Sequence, residues 1–161
     1  MKAAVSASMT SQIVNPIISA TIDTFGMMLD STITRTGLGL KKPDTSFYDI
    51  TAIIGLSGKS AGSFCLSFPA TTAYETVHRM LDMEVSDITP LVCDTVGEFA
   101  NVIAGSAKDK LTSMELEMGL PNIIHGPSHN VEFPSNAQPM LATFDSEVGP
   151  FMLAFGFVER S

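Results

Sequence analysis

The sequence predicts one α+β domain over residues 1–161, with two long helices packed on one face of a mainly antiparallel sheet. Apolar residues recur with helical spacing in two long segments, and apolar, β-prone runs follow one another directly. Runs of consecutive strands separated by helices are typical of this fold class. A long helix followed by an apolar hairpin occurs in both halves, which indicates a faint internal duplication.

The first half is predicted to contain one helix and three strands. From Thr10 to Leu29 apolar residues recur every three to five positions, and Pro16 either opens this helix or kinks it near its start. A Thr-rich strand is predicted over residues 31–40. Residues 49–68 then form two apolar strands that fold back at Gly55 to Gly58.

The second half is predicted to contain two helices and a further hairpin. Pro69 begins a short helix over residues 69–83, and residues 86–90 supply caps for a long helix that carries residues 94–111. Irregular segments rich in Gly, Pro, Asn and Ser follow Gly119 and Pro121. Residues 138–160 are predicted to form a hairpin that turns near Gly149 and Pro150.

Composition favours a core-forming cytoplasmic protein that binds a protein or a neutral ligand. The 161 residues are 45% hydrophobic and include 10 Phe and 10 Met. A net charge of -8 without a basic run disfavours nucleic acid and anionic membranes as partners. No apolar run is long enough to span a membrane, and the first 20 residues make a weak signal peptide. Cys65 and Cys93 lie in apolar runs without CxxC spacing, so we expect buried, reduced thiols.

Two short motifs resemble ligand sites but lack the pattern that such sites need. "GLSGKS", residues 55–60, ends like a phosphate-binding loop, yet Ile53 stands where that loop needs glycine, so a hairpin turn is the better interpretation. His125 and His129 are four apart, but Gly126 and Pro127 between them are incompatible with the helical spacing of metal ligands. We therefore expect no metal site and no cofactor of the chain's own.

The stretch "DTVGEFANVIAGSAKDKL", residues 94–111, is predicted to be an amphipathic helix. Its apolar side consists of Val92, Cys93, Val96, Phe99, Ala100, Ile103, Ala107 and Leu111. Its polar side consists of Asp94, Glu98, Asn101, Gly105 and Lys108. Most polar stripes are plain solvent-facing surface. Gly97 and Gly105 indicate a binding role for this side, because an exposed helical Gly costs about 1 kcal/mol relative to Ala. We expect these glycines to leave the backbone open to a close-fitting partner.

These residues resemble the helix motif of the CheX and CheC group of chemotaxis phosphatases, which is Asp or Ser, three residues, Glu, two residues, Asn, and a later Pro. Asp94, Glu98 and Asn101 match the motif, and Pro121 follows Asn101 sooner than is usual in the family. "VNPIISATIDTFGMML" resembles the family's first helix and "ITAIIGLSGKSAGSFCLSFP" its central hairpin. A single motif is present, which is more similar to CheX than to the two-site CheC members.

The resemblance implies a CheC-like fold and a hydrolase that removes phosphate from the aspartyl phosphate of a CheY-like response regulator. It implies that Glu98 pairs with the partner's active-site Lys and that Asn101 aims the attacking water, while the partner supplies Mg²⁺. The residues expected to contact the partner are Asp94, Gly97, Gly105 and Lys108. It also implies a homodimer formed by extension of the sheet. Two alternatives stay open, which are a non-catalytic response-regulator-binding or flagellar-switch-like module and a structural dimer whose polar stripe faces solvent.

Overall fold

The computed structural model describes residues 2–134 and 136–159, and these residues form three α-helices and seven strands. The first half contains α1 (Lys2–Leu29), β1 (Ile33–Leu40), β2 (Ile50–Ser57), β3 (Ser60–Phe68) and α2 (Ala70–Leu81). The second half contains α3 (Pro90–Lys110), a 3₁₀ turn (Thr112–Met114), β4 (Glu117–Met118), β5 (Asn122–His125), β6 (Met140–Ser146) and β7 (Phe151–Glu159).

All seven strands belong to one antiparallel sheet. The order is β1-β6-β7-β3-β2-β4, and β5 pairs with β2 on the same edge as β4. If β1, β2 and β3 are exchanged with β5, β6 and β7, the same order is obtained when the sheet is read from its opposite edge. The β3 and β7 pair lies at the centre of this symmetry. The predicted α+β fold is confirmed, and the predicted duplication appears as this pseudo-twofold strand order.

Several predicted element bounds differ from the structure. Helix α1 begins at Lys2, so Pro16 lies inside the helix instead of near its start. Strand β2 continues through Gly55 to Ser57, and the hairpin turns at Gly58 and Lys59. Gly55 does not end the strand, because it still pairs with Ser63 of β3 in the antiparallel register. The turn near Gly149 is where the sequence places it.

A cluster of four phenylalanine rings joins the helices to the sheet. Phe25 of α1 stacks on Phe151 of β7 at a centroid distance of 4.4 Å and meets Phe99 of α3 edge-on at 4.9 Å. Phe68, at the end of β3, contacts all three of these rings. Each ring is essentially fully buried. The aromatic cluster of Phe25, Phe68, Phe99 and Phe151 therefore fixes α1 and α3 to each other and to the sheet.

The other face of the sheet is covered by loops rather than helices. Phe47, Cys65, Met152 and Ala154 form a second, smaller apolar cluster there, against which Val131 and Phe133 pack. Burial raises the pKa of the Cys65 thiol to about 12. Cys65 and Cys93 are both free thiols, as predicted, but Cys93 is only half-buried.

The edge strand beside β2 is interrupted by a bulge that the sequence did not predict. Met118 pairs with Leu56 and Asn122 pairs with Ile53. Three residues, 119–121, therefore lie opposite two, 54–55, so this edge carries one extra residue, as in a β-bulge. Across the bulge, the Gly119 N–H still donates to the Gly55 carbonyl at 2.8 Å. We call residues 119–121 the edge bulge.

The edge bulge packs on α3 at Gly97, which corrects one prediction. Gly97 is buried, and a Cβ placed on it would lie 3.3 Å from Ile123 Cδ1 and 3.6 Å from Pro121 Cγ. The expectation that Gly97 leaves the backbone open to a partner is wrong, because the chain's own Pro121 and Ile123 occupy that space. Gly105 is half-buried, and a Cβ there would meet Met118 Sδ at an ordinary 3.8 Å.

The substitution Phe25→Ala should lower the free energy of unfolding by about 3–5 kcal/mol, because it leaves a cavity among three buried rings. Urea denaturation followed by circular dichroism measures this change. Met27→Ala is the matched control, since Met27 lies on the same helix with 77% of its surface exposed, and it should change stability by less than about 0.5 kcal/mol. A Phe25→Ala protein as stable as the Met27→Ala protein would contradict the role of the cluster.

Substitutions at the two glycines should have opposite effects on stability. Gly97→Val should destabilise the protein by about 1–3 kcal/mol, because its methyl groups enter space held by Pro121 and Ile123. Gly105→Ala should stabilise it by about 0.5–1 kcal/mol, because Ala favours the helix and its Cβ meets only an ordinary contact. Both are measured by urea denaturation. Equal effects at the two positions would argue against the edge bulge packing on Gly97.

Candidate functional site

Helix α3 is fixed at both ends. Thr89 caps its first turn, where the Thr89 Oγ1 accepts from the Val92 N–H at 3.4 Å. Pro90 occupies the first helical position, where a backbone donor is not needed. At the other end, the Lys110 Nζ lies 3.3 Å from Asp23 Oδ2 of α1, which ties the last turn to the neighbouring helix.

The buried side of α3 agrees with the predicted apolar side. The core positions of this helix are Val92, Val96, Phe99, Ala100, Ile103, Ala104 and Ala107. Cys93 lies at the margin and is half-buried. Thr95 is also buried, and its hydroxyl donates to the Leu91 carbonyl at 2.8 Å, so it needs no partner outside the helix. With this side packed, the orientation of the opposite side is set.

The outward side of α3 presents Glu98 and Asn101 together. Glu98 is exposed and Asn101 is half-buried. Side chains three positions apart on a helix lie next to each other, with Cβ atoms about 5–6 Å apart. Asp94, one turn before Glu98, is exposed as well. In the part of the chain that the structure describes, none of these three side chains makes a hydrogen bond or an ion pair.

The other predicted partner contacts lie along the same helix. Lys108 and Gly105 are half-buried, and Lys108 makes no ion pair within the described residues. Gly97 lies one turn before Asn101 and Gly105 one turn after it. The structure thus brings Asp94, Glu98 and Asn101 onto one free surface, whereas Gly97 faces the edge bulge.

The polar groups of this surface suit recognition and positioning. A carboxylate only accepts hydrogen bonds or pairs with a cation, whereas an amide side chain both donates and accepts. One such pair can hold a cationic group through Glu98 and a water molecule through Asn101. Within the described residues these side chains have no hydrogen bond or ion pair. A partner could therefore bind them without breaking a contact that stabilises the fold.

Neither cysteine has the properties of an activated nucleophile. Burial, together with the negative charge of Asp94, raises the pKa of the Cys93 thiol. Cys65 is buried on the other face of the sheet. A thiol attacks as the thiolate, which requires a lowered pKa. Neither thiol is therefore activated as a nucleophile.

His129 and the Gly-Lys-Ser turn have structural roles. The His129 Nε2 lies 2.6 Å from Thr51 Oγ1, and its Nδ1 lies 2.9 Å from the Gly126 carbonyl oxygen. A Cβ on Gly58 would collide with the backbone of Glu115, so this turn is packed and offers no phosphate cradle.

Among the described residues, no group of three or more His, Cys, Asp or Glu side chains could hold a metal ion. None of the helices described is both long and apolar enough to cross a membrane.

Sequence reasoning missed the edge bulge as a neighbour of the site. It treated residues 119–121 as part of an irregular segment and left the role of Pro121 unassigned. The signal was present in Gly97, since a glycine inside a helix can mark the close approach of another segment. Nothing in the sequence indicated that this segment belongs to the same chain.

Comparisons with known proteins identify the family of this chain. Residues 50–145 match the family described as chemotaxis phosphatase CheX. No curated protein matches the sequence significantly. A CheC-like superfamily protein from Shewanella sp. PV-4 is 25% identical with a TM-score of 0.84, and the match covers 91% of this chain and 97% of that one.

Two further solved structures have the same fold. CheX from Desulfovibrio desulfuricans is 26% identical with a TM-score of 0.82, over 91% of this chain and 99% of that one. The CheX–CheY–BeF₃–Mg²⁺ complex from Borrelia burgdorferi matches at 20% identity and a TM-score of 0.75, over 91% of this chain and 98% of that one. The family match covers more than half of the sequence and includes the whole of α3. This chain belongs to the chemotaxis phosphatase CheX family.

Proposed function

We propose that this protein hydrolyses the aspartyl phosphate of a CheY-like response regulator, with Asn101 orienting the attacking water and Glu98 docking on the partner's active-site Lys. The observation that carries the proposal is the free, outward pair of Glu98 and Asn101 on a helix whose other side is packed, in a chain of the CheX family. Within the described residues, Glu98 forms no ion pair that would neutralise its charge.

The reaction needs few groups from this chain. A water oxygen forms a bond to phosphorus, and the bond between phosphorus and the partner's carboxylate oxygen breaks. The leaving carboxylate is a stable anion with an ordinary pKa of about 3.9, so it requires no general acid. The proton that the water loses remains on the phosphate product. Phosphoryl transfer has a loose transition state, so positioning and electrostatics matter more than a strong base.

Asn101 fits the task of positioning. Its amide can accept a hydrogen bond from the water and donate one to a phosphoryl oxygen. Holding the water in line contributes a factor of about 10² or more. Asn101 is half-buried on a fixed helix, so its side chain has fewer conformations to lose on docking.

Glu98 fits the task of docking. A carboxylate paired with an ammonium group in a newly buried interface forms a charge-assisted hydrogen bond. Asp94 and Glu98 together make this part of α3 negative, which favours an approach to a cationic group.

Magnesium belongs to the partner in this proposal. The related Borrelia complex contains CheY, a beryllofluoride group and Mg²⁺. Mg²⁺ would neutralise charge on the phosphoryl oxygens when the partner is bound. The residues of this chain supply the water orientation and the contact to the partner's Lys. Homodimerisation by sheet extension and a cytoplasmic location stay predictions.

The decay of a phosphorylated CheY-like protein from the same organism tests the proposal. Wild-type protein should accelerate the decay. Asn101→Ala should lower kcat by about 10²-fold with little change in KM, because the water loses its orientation. Glu98→Ala should raise KM by at least about 30-fold, because the partner's Lys is left unpaired in the interface.

Matched controls come from the loop on the opposite face of the sheet. Glu132→Ala and Asn136→Ala remove an exposed carboxylate and an exposed amide far from α3, and both should leave kcat and KM unchanged. Binding of the phosphorylated partner without any acceleration would instead support the non-catalytic module. Full activity of Asn101→Ala would show that another group orients the water.

A further inference from the structure

The edge bulge runs alongside α3 and passes Asn101. Met118 lies over Gly105 and Pro121 lies over Gly97. These two glycines are eight residues apart, about 12 Å along a helix, and residues 118–121 span about 10 Å when extended. The two lengths agree. The segment runs antiparallel to the helix, because its first residue lies over the later glycine and its last residue over the earlier one. Gly119 and Leu120, in its middle, lie level with Asn101.

The backbone on both sides of Leu120 is held in place. The Gly119 N–H donates to the Gly55 carbonyl at 2.8 Å. Pro121 has a fixed φ and packs on Gly97 and its neighbours. A Cβ on Gly119 would lie 3.6 Å from the Gly55 carbonyl oxygen, so this residue faces β2. Gly119 thus faces β2 and Pro121 faces α3, whereas the exposed Leu120 side chain faces solvent.

The Leu120 side chain is 86% exposed, the highest value among the large exposed apolar side chains that the structure describes. The fold gains nothing from it, since it joins neither apolar cluster. Leu91, one turn before Asp94, is also partly exposed at 37% and continues the outward side of α3. The polar pair therefore lies between two exposed leucines.

We propose that Leu120 is a docking residue for the phosphorylated receiver domain, and that it contacts apolar surface beside the receiver's phosphorylation site. The proposal rests on the proposed function, because it takes the receiver to be the molecule that covers Asn101. A partner lying on Glu98 and Asn101 has to cover the edge bulge at their side. Burial of a leucine at the margin of a polar contact adds affinity and selects partners by shape.

This role differs from that of the motif residues. Leu120 touches no reacting atom, so it acts on the formation of the complex and leaves the chemical step unchanged. Because the backbone on both sides of Leu120 is already held, docking costs little backbone entropy at this residue. Leu120 is thus a specificity-determining residue rather than a catalytic residue.

The test compares Leu120→Ala with Leu40→Ala. Leu40 is 66% exposed and lies on β1, at the opposite edge of the sheet. Leu120→Ala should raise KM for the phosphorylated receiver about tenfold with kcat within twofold. Leu40→Ala should change neither. Equal KM values for the two variants would overturn the proposal, and unchanged urea midpoints exclude unfolding as the cause.

A binding measurement separates this proposal from the proposed function. Fluorescence anisotropy of a labelled receiver, activated with beryllofluoride and Mg²⁺, gives the affinity without turnover. If wild-type protein binds but does not accelerate decay, the phosphatase proposal fails, and a tenfold weaker binding of Leu120→Ala still supports the docking role. If wild-type protein accelerates decay and Leu120→Ala binds as tightly as wild type, the docking role alone fails. If no receiver of the organism binds or is dephosphorylated, both proposals are contradicted.

Discussion

The contact of Phe99 with Phe25 and Phe68 is the constraint on which the functional surface depends. Phe99 is fully buried and meets Phe25 edge-on at 4.9 Å. Neighbouring residues on a helix point about 100° apart, so a locked Phe99 fixes where Glu98 points. Burial of apolar surface, which supplies the free energy that folds the domain, therefore also orients the Glu98 side chain outward.

The duplicated architecture adds a second constraint from the edge of the sheet. The edge bulge is held by β2 on one side and by Gly97 on the other. The pseudo-twofold partner of this edge is β1, seven of whose eight residues pair with β6, with a register shift between Arg35 and Gly37. Only the α3 half carries the Glu and Asn pair. One functional surface per chain thus arises from a nearly symmetric fold.

The sequence was sufficient for the fold class, the helices and the two sides of α3, because these depend on local periodicity. It was insufficient for β4 and β5, since two strands of two and four residues owe their existence to pairing with β2. The prediction that Gly97 faces a partner was wrong for the same reason. The space beside it is filled by Pro121, which lies 24 positions later in the chain. The polar pair was recognisable from residue type, spacing and family resemblance, whereas its neighbour Leu120 required the coordinates.

The most direct test of the central claim is an NMR titration of the ¹⁵N-labelled protein with a receiver domain activated by beryllofluoride and Mg²⁺. The account predicts that the largest chemical-shift changes occur at the amides of Asp94 to Gly105 and of Gly119 and Leu120. The amides of β1, at the opposite edge of the sheet, should keep their shifts. Changes concentrated in β1 with α3 unaffected would contradict the account, because the partner would then dock away from Glu98 and Asn101.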